Sequence, residues 1–223
     1  MTFTEITTEV QEALARTDTA VTTKIATWVN RRQRMAASRH NFSFMRTLGA
    51  AMPTVVNQQA YTLPTDYKDD HAFYILKTDS HIPLEIGATL SALVRYSPAD
   101  TGEPEFITVD PGTTTFKVWP PKPNAVYSIL PLYFAWPADL SGAQTNWFTD
   151  NFPGMLIAGG VAEGLDFLGA SEDTPKWEQR FEEAFRRAKA HDVERALPQR
   201  HGIVPRWDVA VGQIARERDG WRF

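Results

Sequence analysis

The residues able to perform chemistry are few in this 223-residue chain, and they are scattered. Its five histidines, His40, His71, His81, His191 and His201, form no HExxH and no His-x-His pair. Asp69-Asp70-His71 is the one tight carboxylate–imidazole cluster. A metal centre there would need further ligands from elsewhere, and neighbours along a strand point to opposite faces, so the cluster reads as a solvated strand edge. With no cysteine, the chain has no disulfide, no thiol nucleophile and no Cys-ligated metal or iron–sulfur site. GxSxG, SxxK and Walker-type loops are missing as well. Gly159-Gly160-Val161-Ala162-Glu163-Gly164 has the glycine content of a phosphate cradle, but it lies inside a helical pattern with no apolar strand before it. Small residues there are expected to let another helix approach closely.

Carboxylate pairs need one weighing, because sugar-polymer cleavage uses a raised-pKa acid and a partner. Glu103 and Glu105 flank Pro104 in a loop, while Glu182 and Glu183 precede Arg186 and Arg187 by four residues. The latter pairs have the order that steadies a helix by about 0.3–0.5 kcal/mol each. Glu163, on a largely apolar helix, reads as a flanking acid that meets an arginine such as Arg31 or Arg34. No enzyme, no metal and no cofactor are expected. Arg31-Arg32-Gln33-Arg34 sets three guanidinium groups on one helical turn, where they can meet phosphates, solvent or a partner's acids. A net charge of −4 argues against a general nucleic-acid coat, which needs a cationic surplus.

The elements that carry these residues fall into successive regimes. Residues 4–39 hold no Pro or Gly, and their apolar positions recur at helical spacing: Ile6, Val10 and Leu14, then Val21, Ile25, Trp28, Val29 and Ala36 after the capping oxygens of Thr17-Asp18-Thr19. A short helix and a longer one are predicted. From residue 52 to 137, prolines punctuate short β-rich runs at 54–56, 60–63, 73–77, 83–86, 106–109, 115–119 and 125–135. Short spacing favours antiparallel pairing. Pro131 implies an edge strand or a break in the last run, and residues 88–96 read as a helix across the sheet. Helical texture returns near Thr149, with Pro153 in a first turn, a stop at Gly169, and a further helix from Thr174-Pro175 that Pro198 should end.

The fold class is therefore α+β: a helical bundle from the N-terminal (1–50) and C-terminal (144–198) segments, an inserted antiparallel β-rich lobe (51–143), and an extended arm (199–223). Apolar residues in the arm are too sparse to hold it down, yet Trp207, Trp221 and Phe223 would be costly to leave wet. Docking on another subunit satisfies both facts. Aromatics at 12 %, with seven Trp, suit large contact surfaces. No apolar run reaches the roughly 20 residues that cross a bilayer, and the start does not read as a signal peptide, so no membrane is expected.

Four phrases together resemble the head-to-tail adaptor, or connector, proteins of tailed bacteriophages and related prophage-like elements. The first runs from Ile25-Ala26-Thr27-Trp28-Val29-Asn30-Arg31-Arg32-Gln33 to Ala37-Ser38-Arg39-His40-Asn41-Phe42-Ser43-Phe44. Gln59-Ala60-Tyr61-Thr62-Leu63-Pro64-Thr65-Asp66-Tyr67-Lys68, Val118-Trp119-Pro120-Pro121-Lys122-Pro123 and Asn146-Trp147-Phe148-Thr149-Asp150-Asn151-Phe152-Pro153 follow in register, covering about residues 20–195. The resemblance implies a ring, commonly of twelve copies, beneath the portal protein at the head–tail junction of a virion made in the bacterial cytoplasm. Its ring extends the DNA channel, passes DNA non-specifically and offers its lower face to tail or tail-terminator proteins. In this family a C-terminal arm often reaches the portal, a role that would fall here on Val204, Pro205, Arg206, Trp207, Trp221, Arg222 and Phe223. Ring interfaces need apolar and arginine anchors, and the candidates are Arg31, Arg32, Arg34, Phe42, Phe44, Trp147 and Phe148.

The alternative is a virion-associated cell-wall hydrolase or carbohydrate-binding protein, in which Trp119, Tyr127, Tyr133 and Trp136 would hold sugar.

Overall fold

A computed structural model describes residues 1–200 apart from Ala88, Pro111 and Ser171, with side chains described through Glu194. The arm residues Val204, Pro205, Arg206, Trp207, Trp221, Arg222 and Phe223 lie outside the described residues. Among the described residues the helices are α1 (Phe3–Leu14), α2 (Thr19–Arg39), α3 (Thr89–Arg95), α4 (Trp147–Asn151), α5 (Pro153–Phe167) and α6 (Thr174–Arg200). The strands are β1 (Arg46–Leu48), β2 (Met52–Pro53), β3 (Ala60–Thr62), β4 (Tyr67–Leu76), β5 (His81–Gly87), β6 (Thr101–Gly102), β7 (Phe106–Val109), β8 (Thr115–Trp119), β9 (Lys122–Pro123) and β10 (Ser128–Ala135). The chain divides into two compact units, one of Met1–Ile25 with the chain from Thr145 onward, the other of Ala26–Gln144.

The first unit is helical, built on α1, α4, α5 and α6, while α2 from Ala26 onward belongs to the second unit. Thr2 and Glu5 close a capping box at the start of α1, whose Phe3, Ile6, Val10 and Leu14 are buried at three- and four-residue spacing. In α5, Gly159, Gly160 and Gly164 are all buried, and the helix packs against both α1 and α6. Without side chains at those positions the helix axes can approach closely, as the glycine run suggests. α5 ends in a Schellman turn. Gly169 adopts φ +71, its N–H donates to the Asp166 carbonyl at 3.1 Å, and the Ala170 N–H donates to the Leu165 carbonyl at 2.9 Å. Phe181, Phe185 and Ala188 form the buried stripe of α6. α6 does not stop at Pro198 as expected but continues to Arg200. Proline's fixed φ is helical and removes only one hydrogen bond, so a last turn can contain it.

The second unit is built on a curled eight-stranded sheet in the order β1-β10-β4-β5-β7-β8-β3, with β2 also paired to β10, and a separate β6-β9 pair. Strands β7 and β8 fall on the predicted β-rich runs, whereas the run at 54–56 forms no strand and the ladder there is β2, two residues earlier. The very short β1, β6 and β9 carry no periodic signal. Pairing is antiparallel except β5–β7 and β6–β9. A parallel β5–β7 ladder needs a crossover, and α3 supplies it. β10 is no edge strand: it pairs with β4 on one side and with β1 and β2 on the other. Pro131 is tolerated because the flanking edge is split at that point. β1 ends opposite Leu132, β2 starts opposite Ile129, and the Pro131 carbonyl between them accepts from the Gly49 N–H at 2.9 Å.

The sheet curls because strands along its whole width face one core: Tyr61, Leu63, Phe73, Ile75, Leu84, Ile107, Phe116, Val118 and Ile129. A flat sheet could not bring β3 and β10 to the same cluster. Its seam is closed by side-chain bonds, the Tyr61 hydroxyl donating to the Gln58 carbonyl at 2.6 Å and accepting from the Val55 N–H at 3.0 Å. Outside this wall, Ala92 of α3 covers Phe106 and Trp119.

Candidate functional site

The polar face of α2 within the second unit grips an extended stretch of backbone. Asn30 makes a two-way amide pair with Leu140, its Nδ2 donating to the carbonyl at 3.0 Å and its Oδ1 accepting from the N–H at 2.8 Å. One turn on, the buried Gln33 donates from Nε2 to the Ala138 carbonyl at 2.9 Å, and Arg34 pairs with Asp139 at 3.0 Å. Backbone groups at 138–140 that have no ladder partner are thereby satisfied from the helix.

Lys68 performs the same service at the end of α2. Its ammonium donates to the Ala37 carbonyl at 2.5 Å, to the His40 carbonyl at 3.2 Å and to Asn41 Oδ1. Asn41 in turn donates to Asp69 at 2.6 Å. A cation at the negative end of the helix satisfies orphan carbonyls and complements the dipole. Burial holds the Lys68 pKa below its ordinary value despite the opposing pull of Asp69.

Between these two grips lies a groove of about 670 Å³, lined by Arg31, Arg34 and Met35 on one wall and by Asp66, Trp136 and Pro137 on the other. Asp66 shapes its floor, accepting from the Tyr133 hydroxyl at 2.8 Å and, through its carbonyl, from the Trp136 N–H at 2.7 Å. Burial first, then the Asp66 carboxylate, push the Tyr133 pKa up to about 12, so this phenol holds its proton at neutral pH. Tyr67, whose buried hydroxyl has no hydrogen-bond partner among the described residues, is pushed up too, by burial and then by Asp70 and Asp69. The groove thus offers guanidinium, carboxylate and indole surfaces for recognition.

The candidate interface residues belong to both units, Arg31, Arg32, Arg34, Phe42 and Phe44 to the second and Trp147 and Phe148 to the first. Arg31 is exposed in the groove, and Arg34 is exposed but engaged by Asp139. Arg32 is only 7 % exposed, and Phe42 and Phe148 are fully buried, so these three side chains serve the fold of the subunit itself. Phe42 lies edge-on to His40 and tilted against Phe44, which is half-buried. Half-buried Trp147 packs on Phe152 and His191 at ring-centroid distances of 5.2 and 6.0 Å.

The acids are likewise spent elsewhere: Glu103 pairs with Lys77 at 2.8 Å, and Glu105 with Arg95 at 3.7 Å and the Tyr96 hydroxyl at 3.2 Å. Among the described residues no group of three or more His, Asp and Glu converges as a metal site would. The four aromatics of the sugar-holding alternative form no open platform. Trp119 is buried with its Nε1 on Thr108, Tyr133 is buried on Asp66, Tyr127 is half-buried with its hydroxyl donating to Asn124, and Trp136 shows an exposed face. No described helix is long and apolar enough to cross a membrane.

Asn30, Gln33 and Lys68 are the side chains of this joint whose role sequence reasoning passed over. A signal existed for Gln33, an amide on the same stripe as Val29 and Ala36, where a polar group must have a buried partner. Lys68 had none, since its partners are 27 to 31 residues away. These contacts show what two of the family-like phrases do: the α2 phrase and the phrase ending at Lys68 meet in one joint.

No curated protein matches the chain. A family model described as SU10 adaptor protein matches residues 1–202. The match takes in both compact units and the joint at Lys68, and the chain accordingly belongs to the SU10 adaptor protein family, structural proteins of the phage particle.

Proposed function

We propose that this protein forms the ring that joins a phage portal to its tail, extends the DNA channel and passes DNA without reading its sequence. The family match over residues 1–202 carries this reading. Copy number in the ring is about twelve by resemblance, and assembly takes place in the host cytoplasm before the particle is complete. The contact with portal falls to the segment beyond the matched region. It carries four arginines together with Trp207, Trp221 and Phe223, the residue types that anchor protein–protein contacts.

A pull-down with the portal protein of the same phage tests it. The full chain should be retained and should assemble, whereas a chain truncated after Arg200 should remain folded by circular dichroism and lose portal binding at least tenfold, as removal of aromatic anchors predicts. Equal retention of both chains would refute the role of the arm.

A further inference from the structure

α3 presents its apolar side the wrong way round. Its inward residue is the small Ala92, fully buried, while Leu90, Leu93 and Val94 are 73 %, 53 % and 84 % exposed. A seven-residue helix has little stability of its own, so a wet apolar face on it calls for a covering partner. A second apolar patch stands on the same unit, where Val55, Val56 and Val126 are 53 %, 45 % and 67 % exposed. These three are drawn together by Thr54, whose N–H donates to the Tyr127 carbonyl and whose hydroxyl donates to the Ala125 carbonyl.

The topology sets the patches on opposite flanks. α3 packs on β7, and the valine patch sits at the seam where β2 and β10 approach β3. From β7 the seam is reached past β8 and β3 in one direction, and past β5, β4 and β10 in the other. The rims differ in sign. Glu85 and Glu105 share the single Arg95 beside α3, leaving a net negative rim, whereas the valine patch lies beside exposed Lys122, which joins no ion pair among the described residues.

We propose that the outer face of α3 docks against the Val55–Val56–Val126 flank of a second copy of this chain, head to tail, as the subunit contact of the ring. This rests on the ring reading above. Two unlike patches on opposite flanks are what a heterologous, closing interface requires. Each patch is on the order of 300 Å², enough for the apolar centre of a standard interface of about 800 Å² per partner, with the charged rims around it.

The chain has no cysteine, so a Val94→Cys, Val126→Cys double variant carries only the two intended thiols. Oxidised in the presence of portal, it should give a ladder of covalent oligomers on a non-reducing gel, while each single-cysteine variant stops at a dimer. Val94→Asp and Val126→Asp should each lower self-association at least tenfold with an unchanged circular dichroism spectrum. Mixed together, the two aspartate variants should form one-to-one pairs that do not extend, because one intact contact remains. If wild type and Val94→Asp assemble equally, the α3 surface is wrong while the ring stands. If the wild-type chain stays monomeric with portal, the ring reading falls and takes this contact with it. Loss of a tail protein, with self-association intact, would overturn the proposal by naming a different occupant of α3.

Discussion

Replacing Lys68 by Met keeps the length of the aliphatic stem and removes only the ammonium. Three acceptors then lose a donor: the Ala37 and His40 carbonyls at the end of α2, and Asn41 Oδ1. A hydrogen bond to a charged donor contributes about 1.5–3 kcal/mol net, and partly buried carbonyls left unmatched add to the loss. Against this stands the desolvation of the ammonium, visible in its lowered pKa, which the methionine no longer suffers. The balance is a destabilisation of about 2 kcal/mol, which for a chain of this size lowers Tm by roughly 4–8 °C. Urea titration should show a lower midpoint at unchanged slope. Hydrogen exchange should rise at the last turn of α2 first. A loss under about 0.5 kcal/mol, the level of an ordinary surface substitution, would mean that Lys68 does not cap the helix and that the joint is held by apolar packing alone.

Asn30→Ala should expose the Leu140 amide, raising its exchange rate at least tenfold while Val118, which bonds Gln59, stays protected. Asn146→Ala removes the oxygen that accepts from the Phe148 and Thr149 N–H groups and should cost about 1 kcal/mol in a thermal melt. Gly49→Ala would place a Cβ 2.7 Å from Pro131 Cγ and 3.0 Å from Tyr133 Cε1, both held rigidly, so a loss of about 1–3 kcal/mol is expected by chemical denaturation. Alkaline stability follows from the tyrosines. Tyr133 and Tyr67 have folded pKa values above the ordinary 10, so the folded state holds protons that the unfolded chain releases. The contribution of Tyr133 is complete below pH 10 and fades as pH rises through about 12, that of Tyr67 fades later, and absorbance at 295 nm should show both phenols ionising at higher pH in the folded than in the unfolded chain.

The sequence by itself determined the class of the fold and most of its helices, because the signals there are local. Phe3, Ile6, Val10 and Leu14 repeat at helical spacing, Gly169 stands where a left-handed residue must end α5, and Phe106–Val109 and Thr115–Trp119 are apolar runs of strand length. The phrases that suggested a phage adaptor are equally local strings, and a family match over residues 1–202 agrees with them.

What only the tertiary structure decided is who faces whom. Nothing in the order of residues says that Lys68 closes the helix ending at Arg39, or that Asn30 reaches Leu140 across 110 positions. Those partners are chosen by the curl of the sheet. Aromatic type likewise says nothing of burial: Phe42 and Phe148 are buried, while Leu90, Leu93 and Val94 of α3 and the valines Val55, Val56 and Val126 are among the apolar side chains left in water. Burial is a property of the whole chain's packing, and a side chain that reads as sticky in one dimension finds its partner, or is left without one, only in three.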